Sequence, residues 1–234
     1  MLKNIIIKVS VILSAIIGVV LQMDTASGGF MSGRSLIMYF TIQSNLWIAM
    51  IAFVGIFVAI FNKPAKGFYL LKYILTRGIL LTYVVFSILL SPSMPLSYLV
   101  SPSNLLVHTL TPVLAMVDYL MNDHKITVNK QSLYGLITPA YYLVFSYTMY
   151  FAGIRFSDGS KFPYFFLDFE SNGWFTFNDG KLGVVFWYLI VMGIIYLISV
   201  VASNIKRRNR QDSPIMVAVG MVLLTLIVTA IRLF

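Results

Sequence analysis

Cysteine is absent from this chain of 234 residues, and charged side chains are scarce. Without cysteine the chain has no disulfide framework, no thiolate metal site and no cysteine nucleophile. Charged residues make up 11% of the chain, whereas soluble domains usually contain about 25%. Hydrophobic residues make up 59%, whereas soluble domains usually contain about 45–50%. This composition excludes an ordinary soluble enzyme, and the mean hydropathy of +0.87 indicates a chain embedded in lipid.

Apolar runs of nearly membrane-spanning length fill most of the chain. We predict seven transmembrane helices, with six as the alternative count. They are Ile5–Met23, Leu36–Phe61, Thr76–Ser91, Asn104–Met121, Tyr134–Ile154, Leu182–Ala202 and Ile215–Leu233. Because each span needs about 20 residues, seven spans leave too little chain for a separate soluble domain. The expected fold is therefore an all-α polytopic bundle that forms a single domain over residues 1–234.

The basic residues are distributed unequally between the two sides of this bundle. Most of them precede the first segment or follow segments two, four and six, so we predict a cytoplasmic N-terminus. The basic run Lys206–Arg210 is typical of a topology determinant, and we expect no nucleic-acid partner because base-stacking aromatics do not accompany it. Segment one also resembles a signal peptide, but its apolar run is long, so we expect a retained helix.

Polar side chains at membrane depth are few, and each is a candidate for a functional site because burying it in lipid is costly. In segment two, Thr41, Ser44 and Asn45 share one helix face, since they are spaced i, i+3 and i+4. These three residues lie near the predicted outer end of their helix.

Segment four carries a second polar stripe. Asn104, His108 and Thr111 lie on one face of the predicted helix. Pro112 removes the backbone hydrogen bond to the His108 carbonyl and predicts a kink at this point.

The predicted topology brings the two polar stripes to the same depth. Segments two and four run in the same direction, and Thr41 and His108 lie a similar distance from their outer ends. A hydroxyl beside an imidazole is the arrangement of a nucleophile and its general base. The remaining polar residues are predicted to line the pocket or to stabilise an oxyanion; they are Ser44, Asn45, Asn104 and Thr111. The alternative is that Thr41 and His108 are satisfied structural residues.

Asp118 lies ten residues beyond His108, which is about 15 Å along a helix, so it cannot orient the imidazole. We predict instead a structural ion pair between Asp118 and Arg77 at the inner end of the bundle. The only histidines, His108 and His124, are expected on opposite sides of the membrane, so we predict no metal site and no cofactor.

The longest outer loop, Arg155–Lys181, is rich in aromatic residues. Aromatic rings favour the headgroup level of a membrane. The loop is therefore predicted to be an interfacial anchor, a lid over a cavity that opens outward, or both.

Several stretches of this chain resemble a bacterial integral membrane family that is similar to the androgen-induced and androgen-dependent membrane proteins of animals. The matching stretches are Phe40–Leu46, His108–Leu114, Tyr141–Val144 and Phe162–Asp168. The resemblance covers more than half of the chain, and the stretches occur in the order and at the spacing expected of the family.

The animal members of this family are threonine hydrolases that act on fatty-acid esters of hydroxy fatty acids. The resemblance implies that Thr41 is the nucleophile, because it matches the position of their catalytic threonine. It likewise implies that His108 is the catalytic base, because their histidine lies a few residues before a proline.

We therefore expect a hydrolase of lipid esters in the bacterial cytoplasmic membrane, with membrane lipids and a lipid-ester substrate as its partners. A transporter or lipid-binding protein that uses the same pocket without chemistry is the main alternative. A structural or assembly factor is a third possibility, and the sequence leaves the oligomeric state open.

The predicted topology can be tested by cysteine-accessibility labelling, because the chain has no native cysteine to interfere. Single cysteines at Lys63, Lys130 and Arg207 should react with an impermeant reagent from one side, and those at Arg34 and Trp174 from the other. Labelling of positions 63 and 174 from the same side would contradict this topology.

Overall fold

A computed structural model describes residues 1–24, 33–63, 67–121, 132–156, 159–178, 180–208 and 213–231 of the chain. The prediction of an all-α polytopic bundle is confirmed. Its long helices are α1 (Leu2–Asp24), α2 (Phe40–Phe61), α3 (Phe68–Ser93), α4 (Pro102–Met121), α5 (Ile137–Phe151), α6 (Val184–Arg208) and α7 (Ser213–Ala230). Within the described residues, all of these except α5 are long and apolar enough to cross a membrane.

Helix α5 corresponds to the fifth predicted segment. Its 15 α-helical residues span about 22 Å, and the 3-10 turn Ser132–Leu136 before it adds about 10 Å. The hydrocarbon core is about 30 Å thick, so the six other long helices fit the alternative count of six spans, and a seventh span at α5 stays a prediction.

Helices α1 to α4 pack closely against one another and form the centre of the bundle. Helix α1 contacts both α2 and α4, and α3 contacts α2, α4, α5 and α6. Helix α7 packs on α4 and contributes no buried residue, as expected of a helix that faces lipid on most of its surface.

Gly18 allows α1 to approach α4 beside the segment that carries His108. A Cβ atom at Gly18 would lie 2.8 Å from Leu106 Cβ and from Val107 Cγ1, closer than carbon atoms pack. Small residues at such crossings allow membrane helices to approach closely. The absence of a side chain at this position therefore helps to fix where α4 lies.

The outer segment between α5 and α6 folds over the end of the bundle; we call Phe162–Gly173 the cap. It contains a 3-10 turn, Phe165–Leu167, and a short helix, Phe169–Asn172. A two-stranded antiparallel hairpin follows, with β1 at Phe177–Asn178 and β2 at Lys181–Leu182.

Helix α3 begins eight residues before the predicted start of segment three, so Lys72 and Arg77 lie inside the helix. The predicted start of this segment was wrong, and the two residues, which the sequence placed at its inner end, lie within it. Both residues are buried, at 3% and 0% exposure. Their charges are tolerated because other helices provide partners for them.

Asp118 pairs with two lysines. Its carboxylate oxygens lie 2.5 Å from Lys8 Nζ on α1 and 2.5 Å from Lys72 Nζ on α3. All three side chains are almost completely buried, so the carboxylate joins α1, α3 and α4 in a region from which water is excluded.

The predicted ion pair between Asp118 and Arg77 is not formed. The Arg77 guanidinium lies between the rings of Tyr73 and Tyr119, at 4.3 and 4.4 Å from their centroids, and donates to Ser203 Oγ at 3.3 Å. Aromatic faces attract a cation, and the effect is strongest where water is excluded. The rings therefore supply the favourable electrostatic contact that we had assigned to Asp118.

Replacing Asp118 with Asn should strongly destabilise the protein, because two buried ammonium groups would lose their counter-charge. We expect a loss of about 3–5 kcal/mol in the free energy of unfolding, measured by thermal or denaturant unfolding in detergent.

Two variants provide controls for this measurement. Lys8→Met leaves the Asp118–Lys72 pair intact and should cost clearly less. Glu170→Gln removes an exposed partner of Lys161 and should hardly change the unfolding midpoint. If Asp118→Asn were as stable as Glu170→Gln, the triad would not hold the bundle together.

Candidate active site

Thr41 and His108 meet inside the bundle, as the sequence predicted. Thr41 Oγ1 lies 3.3 Å from His108 Nε2, and both side chains are buried, at 4% and 2% exposure. The distance is slightly longer than the 2.6–3.2 Å of a direct catalytic contact, as is common in enzymes without substrate.

Thr41 is the second residue of α2, and the start of this helix determines its surroundings. The helix begins at Phe40, four residues later than predicted, and the side chain of Tyr39 provides no cap. The first N–H groups of a helix have no partner within it. The N–H groups of Phe40 and Thr41 are therefore directed away from the helix, beside the Thr41 hydroxyl.

His108 lies in a π-helical turn, Leu106–Leu110, at the position of the predicted kink. Pro112 has no N–H with which to pair the His108 carbonyl, which favours a change of helical pattern at this point. π-Helical turns often occur at functional sites, because the wider turn changes the direction of the side chains.

A second π-helical turn, Phe86–Leu90 on α3, lies opposite the first. The Phe86 ring stacks on the His108 imidazole with a centroid distance of 3.7 Å and an angle of 19° between the planes. This contact holds the imidazole plane in place, so that Nε2 remains directed at Thr41.

Asn45 ties the two helices together beside the Thr41–His108 pair. Its Nδ2 donates to the Thr41 carbonyl at 2.8 Å and to the Val107 carbonyl at 3.1 Å. Both amide protons are used, so Asn45 cannot donate to an oxyanion. The prediction of an oxyanion role for Asn45 was wrong, and the side chain instead sets the distance between α2 and α4.

The other predicted pocket residues also make contacts within the bundle. Ser44 Oγ lies 3.0 Å from the Thr41 carbonyl, to which it can donate, and 2.8 Å from Thr82 Oγ1. Thr111 Oγ1 lies 2.8 Å from Ser14 Oγ on α1, and Asn104 Nδ2 donates to the Leu99 carbonyl at 2.9 Å. Like Asn45, these three residues do not line the cavity described next. Ser44 and Thr111 join neighbouring helices, and Asn104 bonds the backbone just before α4.

The cavity beside Thr41 is bounded by α2, α3, α5, α6 and the cap. Its lining residues are Phe40, Thr41, Leu81, Thr82, Val85, Phe86, Leu90, Pro139, Tyr142, Leu143, Tyr164, Phe166, Leu167, Tyr188 and Val191. They are mostly apolar. The cavity volume of about 50 Å³ is enough for a few water molecules, so a lipid chain requires it to widen.

His108 is not part of the cavity wall. It lies behind Thr41 and Phe86, which do line the cavity, so a ligand would meet the threonine hydroxyl first. A nucleophile on the wall with its base behind it is a productive arrangement, because the base does not compete for the space that the substrate needs.

The second imidazole nitrogen, Nδ1, is buried and makes no hydrogen bond of ordinary geometry; it interacts with the backbone of Asn104. In the tautomer with the proton on Nδ1, Nε2 is free to accept the proton of Thr41. The contribution of Asn104 to the site therefore comes from its backbone, whereas the sequence suggested its side chain.

Tyr164 of the cap was not predicted as a site residue. Its phenol oxygen faces the Thr41 hydroxyl and the backbone N–H groups of Phe40 and Thr41, and its side chain is buried, at 7% exposure. The signals in the sequence were the aromatic loop, which was predicted to be an anchor, a lid or both, and the family-like stretch Phe162–Asp168 within it. The buried part of the loop agrees with the prediction of a lid.

Polar contacts hold the cap in place. Tyr147 on α5 donates to the Leu167 carbonyl at 3.0 Å, and Tyr150 donates to Glu170 at 2.5 Å. Lys161 also donates to Glu170, and these two hydrogen bonds keep the pKa of the Glu170 carboxyl below its usual value. The cap is thus anchored to α5 on the side away from the cavity.

The hairpin and the residues before it expose large aromatic side chains. Phe175 and Phe177 are 74% and 77% exposed, and Trp174 is 41% exposed. Aromatic rings in this position are typical of a membrane interface. This exposed part of the loop agrees with the prediction of an anchor.

Among the residues that the structure describes, no three His, Asp or Glu side chains come together as a metal site. His124 lies outside those residues. Comparisons of the chain with protein-family models, with curated proteins and with solved structures return no match. The resemblance to threonine hydrolases therefore stays a prediction.

Proposed function

We propose that this protein is an intramembrane hydrolase of lipid esters, with Thr41 as nucleophile and His108 as general base. The observation that carries the proposal is the 3.3 Å contact between Thr41 Oγ1 and His108 Nε2 at the wall of an apolar cavity. The resemblance to membrane threonine hydrolases assigns the same two roles to the same two residues.

In the proposed reaction, Thr41 Oγ attacks the ester carbonyl carbon while its proton passes to His108 Nε2. The C=O electron pair moves to oxygen and gives a tetrahedral intermediate. When this collapses, the bond to the alkoxy oxygen breaks, and the departing alcohol takes the proton from His108. Water then attacks the acyl-threonine with His108 again as base, releasing the fatty acid and restoring the hydroxyl.

The apolar lining of the cavity favours an acyl chain as the group next to Thr41. The cavity is lined by α3, α5 and α6 among others, and the proposal places the entry of a lipid from within the membrane between these three helices. Under the predicted topology this opening belongs to the outer leaflet. The basic residues predicted at the other end of the bundle support this orientation, and the location in the bacterial cytoplasmic membrane rests on the resemblance alone.

Thr41→Ala and His108→Ala should each lower turnover of a long-chain fatty-acid ester in detergent by about 10³-fold or more. Because the two groups act as a unit, the double variant should be little worse than either single variant. Thr41→Ser should retain part of the activity, since it keeps the hydroxyl. Labelling with a fluorophosphonate probe should likewise fall strongly in Thr41→Ala, in His108→Ala and in the double variant, and should be partly retained in Thr41→Ser.

Thr148→Ala is the matched control, because this threonine is exposed on α5 and donates only to its own Val144 carbonyl. Its activity should equal that of the unchanged protein, and unfolding midpoints should show that all variants are folded. Undiminished turnover in a folded Thr41→Ala variant would exclude Thr41 as nucleophile. Saturable lipid binding without turnover in the unchanged protein would favour the transporter or lipid-binding alternative.

A further inference from the structure

The proposed reaction places a negative charge on the carbonyl oxygen, and an enzyme needs a hydrogen-bond donor at that position. Removing one such donor from an esterase or protease site typically lowers kcat by about 10²–10³-fold. The residues that the sequence suggested for this role do not supply it. Asn45 uses both amide protons on backbone carbonyls, and the Ser44 hydroxyl is engaged with Thr41 and Thr82 away from the cavity.

Two kinds of donor remain next to Thr41 Oγ. One is the pair of backbone N–H groups of Phe40 and Thr41 at the start of α2, which have no side-chain cap from Tyr39. The other is the phenol of Tyr164, which faces these N–H groups and the Thr41 hydroxyl. Tyr164 lines the cavity, so its hydroxyl is reached by a ligand that contacts Thr41.

The environment of Tyr164 suits a donor. Burial raises the pKa of its phenol above the ordinary value, so the hydroxyl keeps its proton near neutral pH. The ring is held by neighbouring aromatic residues, at centroid distances of 5.2 Å from Phe166, 6.0 Å from Tyr142 and 6.2 Å from Tyr39. A donor that is held in place before the reaction needs little rearrangement when the charge forms.

Resting on the function proposed above, we propose that Tyr164 is a catalytic residue: its hydroxyl donates a hydrogen bond to the oxyanion that forms when Thr41 attacks the ester. The N–H groups of Phe40 and Thr41 face the phenol oxygen and keep this hydroxyl beside Thr41. The tetrahedral carbon is bonded to Thr41 Oγ, so its oxyanion lies among the groups that surround that oxygen. The cap thus contributes a hydrogen-bond donor to the reaction, and the site is complete when the cap covers the cavity.

Tyr164→Phe tests this assignment, because it removes the hydroxyl and keeps the ring that packs in the cap. We expect kcat for ester hydrolysis to fall by about 10²–10³-fold with little change in KM, since the lost bond acts mainly on the transition state. Tyr147→Phe is the comparison variant. It removes an α5 hydroxyl that does not line the cavity and that holds the cap through the Leu167 carbonyl, so its effect should appear mainly in KM or in the unfolding midpoint.

A second measurement separates chemistry from cap structure. A long-chain trifluoromethyl ketone forms a tetrahedral anionic adduct with a hydroxyl nucleophile, whereas the corresponding alkyl ether does not. Tyr164→Phe should weaken inhibition by the ketone by about 10²-fold and leave competition by the ether unchanged. If Tyr164→Phe weakened the binding of both inhibitors by the same factor, Tyr164 would have a packing role and the proposal would be overturned.

Failure of the proposed function gives a different result. If the unchanged protein and Thr41→Ala hydrolyse the ester at the same rate, the hydrolase proposal fails and the role of Tyr164 fails with it. If hydrolysis depends on Thr41 while folded Tyr164→Phe keeps the kcat of the unchanged protein, the hydrolase proposal stands and only the assignment of Tyr164 is overturned.

Discussion

The polar contacts inside this bundle hold its central helices in place, because lipid offers no alternative partner for a buried polar group. Asp118 joins α1, α3 and α4 through two lysines, and Asn45 joins α2 to α4 through backbone carbonyls. The energy of an apolar side chain is similar whether it contacts lipid or another helix, so apolar contacts specify the position of a helix only weakly. The polar contacts therefore determine how close Thr41 and His108 can lie.

The site combines one rigid side and one side formed by the cap. Thr41 and His108 lie on helices joined by Asn45, and Phe86 fixes the imidazole from α3. Tyr164 arrives on the cap, which Tyr147 and Glu170 attach to neighbouring structure. Since the cavity is small in this state, movement of the cap or of α5 and α6 would both admit a lipid and shift Tyr164 relative to Thr41. Substrate access and completion of the site would then be coupled.

The Thr41–His108 contact could be predicted from the sequence because helix direction and depth follow from local pattern and loop charge. The true partners of Asp118 and Arg77 could not be predicted, because Lys8 lies 110 residues from Asp118 in sequence and Tyr119 reaches Arg77 from a different helix. Tyr164 was missed for a related reason. The stretch Phe162–Asp168 drew attention to this part of the loop, but it contains four aromatic residues, and which of them meets Thr41 depends on where the cap folds.

The most direct test of the account is to capture the covalent intermediate. The protein would be mixed briefly with a long-chain fatty-acid ester, quenched in acid and analysed by tandem mass spectrometry of its peptides. The account predicts a mass increase equal to one acyl group on Thr41, which is absent from the Thr41→Ala variant. Release of fatty acid with the acyl group on another side chain, or with the same yield from Thr41→Ala, would contradict it.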